Sequence, residues 1–232
     1  MMEIVRNRLA RAKSILGFRD GSPPSDPAAV LLFDQLKGLY DQGLERAGVN
    51  AEHANEAREL TSRARDLRRH LQGGLLRLIS RAGRSAARAT PALAPEFAPV
   101  IFDGSAVSFG TTARLLLDTA RRHAEQLGQF GVTPGLIDEA DALLKEFEDV
   151  SARAVAARNG RVGAGAQLEV VSGAIMDVIG RLDGLFRHRL ASKPGELAAW
   201  LNAVTAAGPI KARSKPAPPS GAANPTPGAA AA

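Results

Sequence analysis

The chain is predicted to be all-α: an elongated up-down four-helix bundle made from a duplicated helical hairpin. Three observations predict it. Apolar residues recur at steps of three and four over most of the 232 residues. Residues around 32–60 return 83 positions later, where Leu44, Gly48, Val49, Glu56, Ala57 and Leu60 fall on Leu127, Gly131, Val132, Glu139, Ala140 and Leu143. Asn50 falls on Thr133, both helix-capping types, so each copy reads as helix, glycine-ended turn, cap and second helix.

Residues 1–19 scatter Arg6, Arg8, Arg11 and Lys13 among Ile4, Val5, Leu9, Ile15 and Leu16. A secretory signal has an uninterrupted apolar stretch that this segment lacks. It reads as a basic amphipathic helix that docks its apolar stripe on the bundle spanning 26–207. The first hairpin, 26–88, opens on Ser25 or Asp26 as cap with Pro27 in the first turn, where a missing N–H costs nothing. Phe33, Leu36, Tyr40, Leu44 and Ala47 mark its first inward face, and Asn50 is expected to start its second helix. Leu60, Ala64, Leu67, Leu71, Leu75, Leu78 and Ala82 then form one stripe that keeps phase across Gly73-Gly74, so a bend at most is expected there.

A crossover at 89–104, with three prolines and no helical period, carries Phe97, Val100, Ile101 and Phe102, which suggest that it packs down. The second hairpin, 105–190, begins with a helix at about 106–130 whose Leu116, Ala120, Leu127 and Phe130 face inward. Gly131 ends it, and Thr133-Pro134 opens the next. From Leu136 the stripe Ala140, Leu143, Phe147, Val150, Ala154, Ala157, Arg161, Ala164, Leu168, Val171, Ile175, Val178, Leu182 and Leu185 never loses step. A turn at Asn159-Gly160 has no reason to preserve phase, so one helix from 134 to about 190 is predicted, about 85 Å long if uninterrupted. A short helix at 193–206 anchors through Trp200, and the Pro/Ala-rich stretch 208–232, without apolar anchors, is expected to be disordered.

The absence of cysteine excludes disulfides, thiolate metal sites and cysteine nucleophiles, and fits a reducing, cytoplasmic setting. No stretch approaches the run of about 20 apolar residues that a membrane span needs. The formal charge of +6 is carried mostly by arginine, which reads as solvated helix faces before it reads as a polyanion surface.

No constellation carries chemistry. A ferritin-like di-metal site needs Glu-x-x-His on two helices, and none occurs. His53 and Glu56 have the spacing reversed, and the repeat sets Leu136 opposite His53. His123 reads as a bundle-edge histidine, and His70 and His188 sit among arginines with no acid or nucleophile nearby. Catalytic, cofactor-binding and metal-ligating residues are therefore none, and no small-molecule ligand is identifiable. Arg77, Arg81, Arg84 and Arg88 form one stripe and are the candidate anion-binding residues. The start of the last long helix is acidic (Asp138, Glu139, Asp141, Glu146, Glu148, Asp149), so a charge-polarised rod is expected.

Two stretches, Gly131 to Leu144 (GVTPGLIDEADALL) and Arg181 to Phe186 (RLDGLF) followed by Pro194 to Trp200, resemble a loose group of uncharacterised bacterial all-helical proteins made of paired hairpins. The resemblance implies that architecture and brings no activity, cofactor or binding residue. The leading expectation is a non-enzymatic structural or protein-interaction bundle, with a protein partner or self-association. The alternative is a polyanion-associated protein using the four arginines and the basic tail. Nucleic acid is not favoured, since there are almost no aromatics on which bases could stack.

Overall fold

A computed structural model describes residues 2–99, 102 and 104–206. The expected tail at 208–232, and Val100 and Ile101 of the crossover, lie outside the described residues. Among the described residues the chain is all-helical, with no strand. The order is α1 (Met2–Gly21), α2 (Pro27–His70), a π turn (Leu71–Leu75), α3 (Leu76–Ala89), a short 3-10 turn (Pro91–Leu93), α4 (Ala106–Arg122), α5 (Ala124–Gly128), α6 (Pro134–Arg189) and α7 (Pro194–Thr205). Contacts divide the chain into two compact units, residues 2–41 with 172–206 and residues 42–171.

In the first unit α1 buries Val5, Ala12 and Ile15, whereas Ile4 of the expected stripe stays 50 % exposed, and Arg8 Nη1 donates to the buried Ser172 hydroxyl at 3.0 Å. Trp200 on α7 is fully buried. Its ring stacks on Phe186 (4.4 Å between centroids) and meets Phe18 edge-on, and its indole N–H donates to Asp183 at 3.0 Å. Asp26 caps α2 by accepting from the Ala29 amide at 3.1 Å, and Arg189 holds the same carboxylate at 2.7 Å.

In the second unit the first expected hairpin is corrected. Helix α2 passes through Gly48-Val49-Asn50 without a turn and leads through the π turn into α3. Asn50 is no cap. It is 4 % exposed, and its Nδ2 donates to the Arg161 carbonyl of α6 at 2.9 Å. The π turn also corrects the inward stripe around Gly73-Gly74. Its extra residue moves the buried row from Leu71 to Leu76, Ile79, Ala82 and Ala86, and leaves Leu78 41 % exposed.

The long last helix is present as α6, and its stripe buries Ala140, Phe147, Val150, Ala154, Ala157, Ala164 and Leu168 within this unit. The glycines at 160–165 are points of close approach. A Cβ on Gly160 would lie 3.0 Å from the His53 ring, and one on Gly165 would lie 3.3 Å from Asn50 Nδ2. Side chains of α2 therefore occupy the room that the glycines leave. By length and composition α6 alone among the described helices could cross a membrane, yet 33 % of its most apolar stretch is buried inside the fold.

Helix α4 stops at His123, where the backbone leaves helical geometry, and α5 follows. The crossover does pack down: Leu93, Phe97 and Phe102 are buried. Gly131 adopts φ +85°, and the Thr133 hydroxyl accepts from the Leu136 amide at 3.3 Å, as the turn chemistry predicts.

Candidate functional sites in the second unit

Among the grooves within residues 42–171, two bear on function. The first contains part of the candidate anion stripe. Helix α3 has no acidic residue, and Arg77, Arg81, Arg84 and Arg88 are all exposed. Arg77 and Arg84 line a cavity of about 480 Å³ with Arg69, Gln72, Ser80 and Phe102, whereas Arg81 and Arg88 do not. Sequence reasoning missed Arg69, which the π turn brings in.

Elsewhere in the unit several charges pair across helices. Arg63 meets Glu146, Arg114 meets Glu148, and Arg121 meets both Asp141 (3.0 Å) and Asp138 (3.5 Å). Asp138, Asp141, Glu146 and Glu148 at the start of α6 are thus matched across the helices by arginines of α2 and α4, which offsets part of its acidic charge. Hydrogen bonds from Lys145 and Arg121 hold the Asp141 carboxyl below its ordinary range, against the opposing pull of burial. Of the arginines that line the first groove, Arg69 has Asp66 at 2.9 Å. No carboxylate of a described residue lies within ion-pair distance of Arg77 or Arg84.

The second groove runs between α4 and α6 and encloses about 700 Å³. Its apolar side chains Val107 (79 % exposed), Leu115 (67 %) and Val155 (51 %) face water. Gly110 gives it a floor: a Cβ there would lie 3.0 Å from Glu148 Oε1, the carboxylate that reaches Arg114. Ser151 lines the groove, and its buried hydroxyl has no hydrogen-bond partner among the described residues. The signal for this groove was present in the sequence as Val107 and Leu115, two apolar residues eight positions apart on a helix face other than that of Leu116 and Ala120.

Among the described residues no three histidine or carboxylate side chains gather as a metal site would require. His53 sits against Gly160 with Glu56 at 3.8 Å, and the exposed His70 and His188 join no cluster. His123 bonds the Glu96 carboxylate at 3.1 Å, where Arg122 also binds at 3.2 Å, and rests edge-on to Phe97. This is a tie between the crossover and the end of α4. No protein-family model, curated protein or solved structure matches the chain.

Proposed function

We propose that this chain is a non-enzymatic helical interaction protein that self-associates through the α4–α6 groove. The observation that carries the reading is the row Val107, Leu115 and Val155, left in water around a cavity of about 700 Å³. Apolar surface gains about 25 cal/mol for each Å² removed from water, so such a row favours an occupant. A second copy suits it on charge as well. A two-fold contact sets the same patch against itself, so each patch must offer both signs. This groove does so, with Arg114 on one turn of α4 and the exposed Asp118 on the next.

The test is mass in solution by light scattering. The wild type is expected to exceed one chain's mass at about 100 µM, an affinity ordinary for weak homodimers. Leu115→Glu is expected to return it to a single chain, and Arg88→Glu, outside the groove, to leave the mass unchanged. A wild type that stays a single chain at that concentration, or a mass indifferent to Leu115→Glu, overturns the reading.

A further inference from the structure

We infer that the groove beside the π turn is a binding site for a small phosphorylated compound, held by Arg69, Arg77 and Arg84. The inference is independent of self-association. It begins with helical geometry. Over the eight residues from Arg69 to Arg77 an unbroken α-helix turns about 800°, which would set the two about 80° apart. The π turn at Leu71–Leu75 takes up one extra residue and so removes about 100°. Arg69 then falls within about 20° of the line through Arg77, the same offset that seven residues give between Arg77 and Arg84. The bulge thus converts a pair of arginines into a row of three. The same shift sets Gln72 above Ser80 on the adjoining row, and both line the cavity.

Burial supports this geometry, since the one-residue shift that aligns the arginines also moves the core row from Leu71 to Leu76. Two glycines occupy the turn, Gly73 and Gly74, and nothing lies within 4 Å of where their Cβ atoms would be. Glycine costs about 1 kcal/mol there relative to alanine, and no packing demand calls for it. Gly73 lines the groove, and its missing side chain opens the space between Arg69 and Arg77.

Charge then selects the ligand. Among the described residues Asp66 is the one carboxylate paired with the row, through Arg69, and α3 contributes none. Three guanidiniums offer planar, fork-like donors suited to phosphoryl oxygens, with Gln72 and Ser80 as neutral donors beside them. A volume of about 480 Å³ exceeds a single phosphate and suits a compound with two or three phosphoryl groups or one carrying an organic body. Pro99 and Phe102 form an apolar wall for such a body. Arg81 and Arg88, on the same helix, lie outside the cavity, so a nucleic-acid backbone is the competing ligand that the test must separate.

The experiment titrates the full chain with inorganic tripolyphosphate at low and high salt, following heat and melting temperature. The wild type is expected to bind and to melt higher, and Arg77→Gln and Arg84→Gln each to weaken binding about tenfold. Arg81→Gln and Arg88→Gln are expected to change it less than about twofold, as exposed charges outside the groove. A double variant, Arg77→Lys with Arg84→Lys, keeps the charge and removes the fork; it is expected to weaken binding almost as much, which separates built recognition from general attraction. No binding by the wild type at about 10 mM and low salt overturns the proposal. So does an equal loss in all four single variants. A parallel titration with a DNA duplex distinguishes the source of the phosphate: tighter binding to duplex than to tripolyphosphate, weakened equally by all four arginine variants, assigns the row to a nucleic-acid backbone and overturns the small-ligand reading.

Discussion

Gly48-Val49-Asn50 and Gly131-Val132-Thr133 are nearly the same triplet, yet one continues a helix and the other ends a chain direction. At the second, Gly131 takes φ +85° and Pro134 follows the cap, so a new helix begins without a wasted amide. At the first, Ala51 stands where the proline would be, and Gly48 remains within α2. The polar residue decides the rest. Thr133 turns its hydroxyl to the Leu136 amide of its own segment, whereas Asn50 sends its amide across to the Arg161 carbonyl of α6. A capping residue type marks a helix start only when no distant acceptor claims its side chain.

The strongest way to break the comparison is Asn50→Asp. Aspartate caps a helix as well as asparagine does, so at a true cap the change would be nearly neutral. At a 4 % exposed position facing a carbonyl it puts a carboxylate where a donor stood. The expected loss is about 3 kcal/mol in urea denaturation. Thr133→Asp, at the exposed cap, is expected to stay within about 0.5 kcal/mol of wild type. Equal effects at the two sites would show that Asn50 does not bridge α2 and α6.

Next in size is Gly131→Val. A β-branched residue at φ +85° is expected to cost about 2 kcal/mol, and Gly131→Asn less, since asparagine visits the left-handed region more readily. The measurement is again the denaturation midpoint. A Gly131→Val variant as stable as Gly131→Asn would mean that the turn does not need that conformation.

A third test sets two real helix starts side by side, Asp26 before Pro27 and Thr133 before Pro134. The Arg189 guanidinium, and then the Ala29 and Ala28 amides, hold the Asp26 carboxyl below its ordinary 3.8, although partial burial pulls it the other way. A carboxyl lowered in the folded state contributes its full stability above the unfolded value and loses it as pH falls through the folded one. Melting temperature is therefore expected to drop between about pH 5 and pH 2, less steeply in Asp26→Asn, while Thr133→Ala lowers it by the same amount at every pH. An unchanged slope in Asp26→Asn would remove Asp26 from the acid response.

These contrasts mark what the sequence carries and what it cannot. The inward face of α6 was legible from Leu136 to Leu185 because its period is local and long, and Trp200 was legible as an anchor because so large a ring must be covered. The glycines at 160–165 were ambiguous, since what fills them, His53 and Asn50, comes from more than a hundred residues away. Leu78 was placed inward because Gly73-Gly74 signals a weak helix without saying that a residue is inserted. For the same reason the arginine row appeared as Arg77, Arg81, Arg84 and Arg88, and Arg69 could not be seen. The α4–α6 groove needed the pairing of two second faces, which a single periodicity does not report.

The smallest expected effect is opposite in sign and isolates the backbone. Gly48 lies exposed within α2, with nothing within 4 Å of where a Cβ would be. If the segment is helical, Gly48→Ala is expected to stabilise the chain by about 0.5–1 kcal/mol, because alanine gives up less conformational freedom and meets no clash. If Gly48 instead held a turn like that at Gly131, alanine would strain a positive φ and destabilise. Gly131→Ala is the matched control and is expected to lower the midpoint where Gly48→Ala raises it. The pair turns a difference in helix continuity into a difference of sign, which survives any error in the size of either effect.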